Sequence, residues 1–248
     1  MFPFFTKARH LAEYAAVKAL AMGINLLPIQ RMTVLMRTVA AVLFALFPSR
    51  RRTVIQNLDI AYGNALSPGE KKAIAKECYE NVLIATAELA RLPKVRNDAR
   101  SRFELEGLSD FEAGFAKGKG VICVLAHFGS WEYTSFLAYL TGHPATVLVR
   151  PVKNPYIFRW IQSLRKCTSL SPVDRSHTLR MLLGELRQNH IVAVLVDQWS
   201  GHRGLWLDFF GRPTSTTSLP ARLAKKTGAT LLPVICIRTR PGNYKIFV

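Results

Sequence analysis

The segment Leu125-Ala126-His127-Phe128-Gly129-Ser130-Trp131-Glu132 sets an imidazole at the end of an apolar run and a carboxylate five positions later, with a glycine between them. Gly129 permits a tight turn, and a helix beginning near Ser130 would carry Glu132 in its first turn. A turn of this length can return the carboxylate to the imidazole. The chemistry that uses such a pair is general-base catalysis: Glu132 holds one ring nitrogen as N–H, and the other takes a proton from an attacking hydroxyl. His127 and Glu132 are therefore the candidate catalytic residues. Gly129 is a candidate substrate contact.

Two further segments have a similar form. Val147-Leu148-Val149 runs into Arg150-Pro151, and an arginine past a strand end can clamp a phosphate. Val194-Leu195-Val196 runs into Asp197-Gln198, followed by the loop Trp199-Ser200-Gly201-His202-Arg203-Gly204. Phe209-Phe210-Gly211-Arg212-Pro213 comes next, and Thr214 to Ser218 reads as a helix start. Arg150, Asp197, Gln198 and Arg212 join the candidate substrate-binding residues.

Other chemistries lack their motifs. Gly118-Lys119-Gly120 precedes a strand instead of following one and has no Ser or Thr at the required place, so it is no phosphate loop. Gly-x-Ser-x-Gly is absent, and with it a nucleophile elbow. No Cys-x-x-Cys or His-Glu-x-x-His occurs, and His10, His143, His177, His190 and His202 are scattered as surface residues. No metal or cofactor is expected.

The elements that must position these groups follow from periodicity. Val121–Leu125, Thr146–Val149, Ile191–Val196 and Thr230–Ile237 are short apolar, β-branched runs that predict buried strands. Helical stretches over about 130–140, 154–166, 176–188 and 216–227 alternate with them, which implies an α/β fold with a mostly parallel central sheet flanked by helices. Sites in such sheets gather at the carboxyl ends of the strands, where His127, Arg150 and Asp197-Gln198 stand. Upstream, Ser67-Pro68-Gly69-Glu70 forms a capping box that opens a helix to about Leu92, and Ser109 with Glu112 repeats the pattern.

Of the 248 residues, 34 are Lys or Arg and 16 are Asp or Glu, a net charge of +18. That balance points to an anionic surface. The first 52 residues carry eight of the cations and one acid, Glu13, interleaved with Phe, Leu, Val, Ala and Met. Such a mixture suits a lipid interface better than a nucleic acid. Residues 2–62 read as two or three amphipathic helices punctuated by Pro28 and Pro48. Their uncharged runs fall short of the ~20 residues of a spanning helix, so interfacial attachment is favoured over a single N-terminal anchor. The expected division is a membrane-associating segment over 1–62 and an α/β domain over 63–248. The chain stops inside the strand-like run ending at Val248, so further C-terminal residues are expected.

Taken in this order, the motifs resemble the bacterial lipid A biosynthesis acyltransferases, the lauroyl/myristoyl-type branch of the lysophospholipid acyltransferase superfamily. His127 and Glu132 match the hallmark His-x4-Asp/Glu, and Arg150-Pro151, Asp197-Gln198, Gly201–Gly204 and Phe209–Pro213 match the later segments over about residues 50–248. Trp199 departs from the small or acidic residue of many members. The resemblance implies transfer of a fatty acyl chain from an acyl carrier protein or coenzyme A thioester to a hydroxyl of a lipid A precursor or related glycolipid, at the cytoplasmic face of an inner membrane. The acceptor, an anionic glycolipid or phospholipid, stays open among a lipid A precursor, a lysophospholipid, phosphatidylinositol mannoside and an aminolipid. A non-catalytic basic membrane-binding protein would share the charge but leave the His/Glu pair unexplained. No nucleic-acid partner is expected.

Overall fold

The computed structural model describes residues 2–174 and 178–248. Three helices come first: α1 (Phe2–Leu26), α2 (Ile29–Leu46) and α3 (Pro48–Tyr62). They break at the two prolines, as their missing N–H groups and fixed φ dictate. The helix α4 (Pro68–Ala90) starts at the predicted capping box: Ser67 Oγ accepts from the Glu70 N–H, and the Glu70 carboxylate accepts from the Ser67 N–H. Packing of α2 and α3 against α4 joins the N-terminal helices to the rest of the chain.

Short helices α5 (Leu92–Arg96) and α6 (Ala99–Arg102) lead to strand β1 (Phe103–Glu106) and α7 (Leu108–Phe115). Here the second capping box fails. The residue before α7 is Gly107 at φ 81°, with no side-chain cap, and Ser109 lies inside the helix. The sheet follows as β2 (Val121–Leu125), α8 (Phe136–Thr141), β3 (Ala145–Val149), α9 (Pro155–Arg165), β4 (Leu170–Asp174), α10 (Thr178–Arg187) and β5 (Ile191–Leu195). The predicted start of α10 at 176 and His177 lie outside the described residues.

Residues 205–216 depart from expectation. Where no element was predicted before a helix start at Thr214 to Ser218, β6 (Leu205–Phe209) and β7 (Arg212–Thr216) form an antiparallel hairpin. Helix α11 (Leu219–Thr227) begins only after it. The predicted strand 230–237 is two strands, β8 (Thr230–Pro233) and β9 (Ile235–Arg240), in different sheets, with β10 (Asn243–Phe247) after them. Pro233 cannot donate to a ladder, and the chain changes sheets beside it.

The central sheet has the order β4-β3-β5-β2-β8, with every pair parallel. Its strands β2 and β5 are apolar throughout because both faces are covered. Val121, Cys123 and Leu125 point into one core with Phe111, Phe136 and Leu164. Ile122, Val192 and Val194 point into the other, against Leu182, Leu186 and Leu223 of α10 and α11. A second sheet, β1-β10-β9, stands beside this one and places Tyr244 and Cys236 in the first core.

Candidate active site

Neighbouring strands β3, β5 and β2 all end at one edge. Leu125 pairs with Leu195, and the Val196 N–H donates to the Leu125 carbonyl at 3.0 Å. His127 and Asp197 each lie two residues past that pair. The three predicted segments therefore meet because parallel strands align their carboxyl ends.

The turn after β2 rests on the second sheet. Gly129 has φ 58° and bridges Cys236, whose carbonyl accepts from the Ser130 N–H at 2.8 Å. A Cβ at 129 would collide with that carbonyl oxygen. This close approach of two backbones is what the glycine supplies. Gly129 is not among the residues that line the slot or the cleft at the site.

Asp197 holds His127 twice. Nδ1 of His127 lies 2.9 Å from Oδ1 of Asp197, and the His127 backbone N–H donates to Oδ2 at 2.7 Å. An ionised carboxylate can only accept, so the proton of the neutral ring belongs on Nδ1. Nε2 is left with its lone pair, 3.5 Å from the Gln198 amide nitrogen. The two side chains are 36% and 35% exposed, open enough to meet a substrate. The Trp131 ring stands at 60° to the imidazole, centroids 5.6 Å apart.

Glu132 is elsewhere engaged. Its Oε2 accepts from Arg165 Nε at 2.9 Å and its Oε1 from Arg165 Nη2 at 2.6 Å. Residues 131–135 form a 3₁₀ turn instead of the start of an α-helix, and the turn aims Glu132 at the last turn of α9. The guanidinium matches the carboxylate as a two-pronged fork in a mostly buried place. The sequence placed Glu132 on His127; in the structure the ring's partner is Asp197.

Two cavities meet at His127. A narrow apolar slot between the sheet and α8 is walled by Cys123, Leu137, Ala138, Val147 and Ala193, with His127, Glu132 and Arg165 at its polar end. The other is a cleft of about 630 Å³ lined by His127, Arg150, Arg165, Gln198 and Trp199, among others. Its volume falls within the ≈ 300–1,000 Å³ usual for ligand sites. Arg150 and Gln198 thus both line this cleft. Arg212 does not: it sits on the hairpin, exposed and paired with Phe209, outside both linings.

Cys123 is the thiol in the slot, and burial pushes its pKa up to about 12. At neutral pH it stays a thiol, which makes Cys123 a poor nucleophile.

One buried network had no signal in the sequence. Glu88 of α4 is 1% exposed, and it accepts from Arg238 Nε at 2.8 Å, Arg238 Nη2 at 2.9 Å and the Tyr244 hydroxyl at 2.9 Å. Burial, then the Glu88 carboxylate, raise the Tyr244 pKa and keep it a donor. Arg238 Nη2 also reaches Ser130 Oγ at 3.2 Å, so the network ends on the turn that follows His127. These partners are 108 to 156 positions apart, and no local pattern joins them.

The profile of the bacterial lipid A biosynthesis acyltransferase family matches residues 1–248. Among curated proteins, the phosphatidylinositol mannoside acyltransferase of Mycobacterium tuberculosis is 28% identical over 157 residues, covering 60% of this chain and 49% of that protein. The lipid A biosynthesis palmitoleoyltransferase of Escherichia coli is 26% identical over 208 residues, 82% of this chain and 67% of that protein. The lipid A biosynthesis acyltransferase of Shigella flexneri matches with the same figures. The chain spans from about half to two thirds of the length of these relatives.

Proposed function

The chain belongs to the bacterial lipid A biosynthesis acyltransferase family, and on that premise we propose that it transfers a fatty acyl chain from a thioester of acyl carrier protein or coenzyme A to a hydroxyl of an anionic glycolipid. The observation that carries this reading is the place of His127, held by Asp197 between an apolar slot and an arginine-lined cleft. The slot suits an acyl chain. The cleft, with Arg150 and Arg165, suits a phosphorylated head group.

The chemistry follows from the ring. Nε2 of His127 takes the proton of the acceptor hydroxyl as its oxygen attacks the thioester carbonyl carbon. The tetrahedral intermediate collapses, the C–S bond breaks, and the departing thiolate takes the proton back from the imidazolium. Asp197 keeps the productive tautomer and stabilises the imidazolium. No acyl-enzyme is involved, in keeping with the inertness of Cys123.

A second reading gives Glu132 this supporting role. Glu132 and His127 line the same slot, and Arg165, which now holds Glu132, also lines the cleft. A substrate phosphate drawing Arg165 away would release the carboxylate.

Membrane attachment belongs to the same proposal. Helix α2 is 18 residues long with a mean hydropathy of 1.5, apolar enough to cross a bilayer by length and composition, and 22% of it is buried. Val34, Leu35, Val42 and Leu46 are exposed along it, with Arg31 and Arg37 in the same helix. The proposed location is the cytoplasmic face of the inner membrane, held by residues 2–62 as an interfacial segment or one anchor.

The test is His127→Ala in the whole protein, assayed with both thioester donors against a lipid A precursor, a phosphatidylinositol mannoside, a lysophospholipid and an aminolipid. A loss of about 10²–10⁴-fold is expected, with circular dichroism unchanged. Undiminished turnover overturns the proposal.

A further inference from the structure

Helices α1 and α2 are not the chain's only exposed apolar surface. All five residues of β6 are exposed, and four of them are Leu205, Trp206, Leu207 and Phe209. Phe210 follows at the tip. These five apolar side chains are 47–63% exposed. Leu205, Leu207 and Phe209 alternate along the strand and so share one face, opposite Thr216, Thr214 and Arg212 of β7. A lone two-stranded ribbon gains nothing from burying none of this stripe, and a contiguous bare apolar patch marks an interaction surface.

The turn strengthens the point. Phe210 has φ 53° and Gly211 φ 70°, the left-handed pair of a two-residue hairpin loop. Asn or Gly takes the first of these positions without strain, whereas an aromatic side chain there is disfavoured. The Gly211 N–H donates to Asp208 Oδ1 at 2.9 Å, which fixes the loop and engages the hairpin's one acid. The fold thus holds an aromatic ring outward at a position that local energetics would give to a small residue.

The root of the hairpin is at the site. Gln198, Trp199, Ser200 and Thr217 line the arginine-bearing cleft beside His127. The Ser200 N–H donates to the Ser215 carbonyl, which ties that loop to β7. The Trp199 ring packs edge-on against Trp206, centroids 5.5 Å apart. Aromatic surface therefore runs from the cleft onto the hairpin. Arg203 and Arg212 stand exposed just before β6 and at the start of β7. Phenylalanines at the tip, leucines along the strand, tryptophan at the base and arginines alongside are the side chains of a surface that meets hydrocarbon and anionic head groups together. An acidic protein partner would answer the arginines and leave the Leu205-Leu207-Phe209 stripe in water.

We propose that the β6–β7 hairpin inserts into the interface of an anionic bilayer beside the active-site cleft, a membrane contact separate from α1–α3 that delivers the lipid acceptor to His127. The part concerning delivery rests on the function proposed above; the insertion does not.

The experiment labels Phe210→Cys with an environment-sensitive fluorophore in the whole protein carrying Cys78→Ser and Cys167→Ser, the two thiols that are not buried. An exposed site at the opposite edge of the sheet, Ala116→Cys, is the control. With vesicles containing phosphatidylglycerol, the label at 210 is expected to shift to the blue and be quenched by lipids spin-labelled in the acyl chain, while the label at 116 stays unchanged. A label at 210 that remains in water on vesicles, or that responds only to acyl carrier protein, overturns the insertion. In a second arm, Leu207→Ser/Phe209→Ser/Phe210→Ser is expected to slow transfer to a vesicle-borne acceptor by about tenfold or more and leave transfer to the same acceptor in detergent unchanged. Equal losses in both formats overturn the delivery role. Insertion of the label with no transfer to any acceptor by the unaltered protein would remove the proposed function and leave the membrane contact standing.

Discussion

His127 and Asp197 stand at equal distances past a directly paired couple, Leu125 and Leu195, on adjacent parallel strands. The 2.9 Å contact between imidazole and carboxylate is thus a property of sheet register. A one-residue slip would turn every side chain of β5 to the opposite face and remove it. That slip is opposed by packing, since Val192 and Val194 would trade cores with Ile191 and Ala193.

From this geometry, Asp197→Asn should lower kcat by about 10²–10⁴-fold with little change in KM, since it leaves the ring in place and favours the wrong tautomer. The double variant with His127→Ala should be no slower than His127→Ala alone, because the two act as one unit. Steady-state kinetics on the set decides the matter. A Glu132→Gln loss larger than that of Asp197→Asn would transfer the supporting role to Glu132.

The Glu132–Arg165 pair is expected to act on stability. Glu132→Gln leaves a mostly buried guanidinium unpaired and should cost about 3 kcal/mol in urea denaturation. Adding Arg165→Met should restore part of that loss, a coupling that the double-mutant cycle reads directly. Additive losses would show that the two side chains do not depend on each other.

With the acyl chain placed in the slot, as proposed, the slot's walls set chain-length preference. Ala138 of α8 is buried in its wall. Ala138→Leu should shift the kcat/KM ratio between short and long acyl donors by about tenfold or more toward the short one, with a stability cost of about 1–3 kcal/mol from overpacking. Competition between two thioester donors in one tube measures the ratio.

Thiol chemistry gives a pH-dependent check. Cys123 is raised by burial to about 12, so it stays neutral through pH 8 and its reaction with iodoacetamide should be negligible in the folded protein. Cys236 is raised as well, by burial and then by Glu88. Exposed Cys78 should label readily, and mass spectrometry of the peptides separates the four. The sign is fixed: unfolding returns both buried thiols toward the ordinary value of about 8.5, and their labelling should then rise.

Much of this layout is legible in the residues themselves. The capping box at Ser67, the apolar runs of β2, β3 and β5, and the polar groups just past each run are local signals, and the strand-end rule gathers them at one edge. What stayed hidden is pairing. Nothing near residue 127 says that Asp197 is its partner, because that contact depends on strand order. Nothing near residue 132 points to Arg165, because a 3₁₀ turn replaces the helix. The hairpin escaped because Leu205-Trp206-Leu207 lacks polar alternation, since the surface it presents is apolar. Its partner strand begins with Arg212-Pro213, a pair that reads as a loop. Pro213 fits there because the ribbon has only two strands, so both are edges.

The anchorage of the Gly129–Ser130 turn on Cys236 and Arg238 sets a schedule for the nascent chain. His127 and Asp197 can come together once β5 and Asp197 have left the ribosome, yet β9, the strand that braces the turn, follows later in the chain. Until β9 pairs with β10, Glu88 lacks its guanidinium and the segment after His127 has no wall. A chain that has emerged only as far as β5 therefore holds His127 and Asp197 without this brace, and the turn after His127 is expected to become fixed only when β9 and β10 have formed.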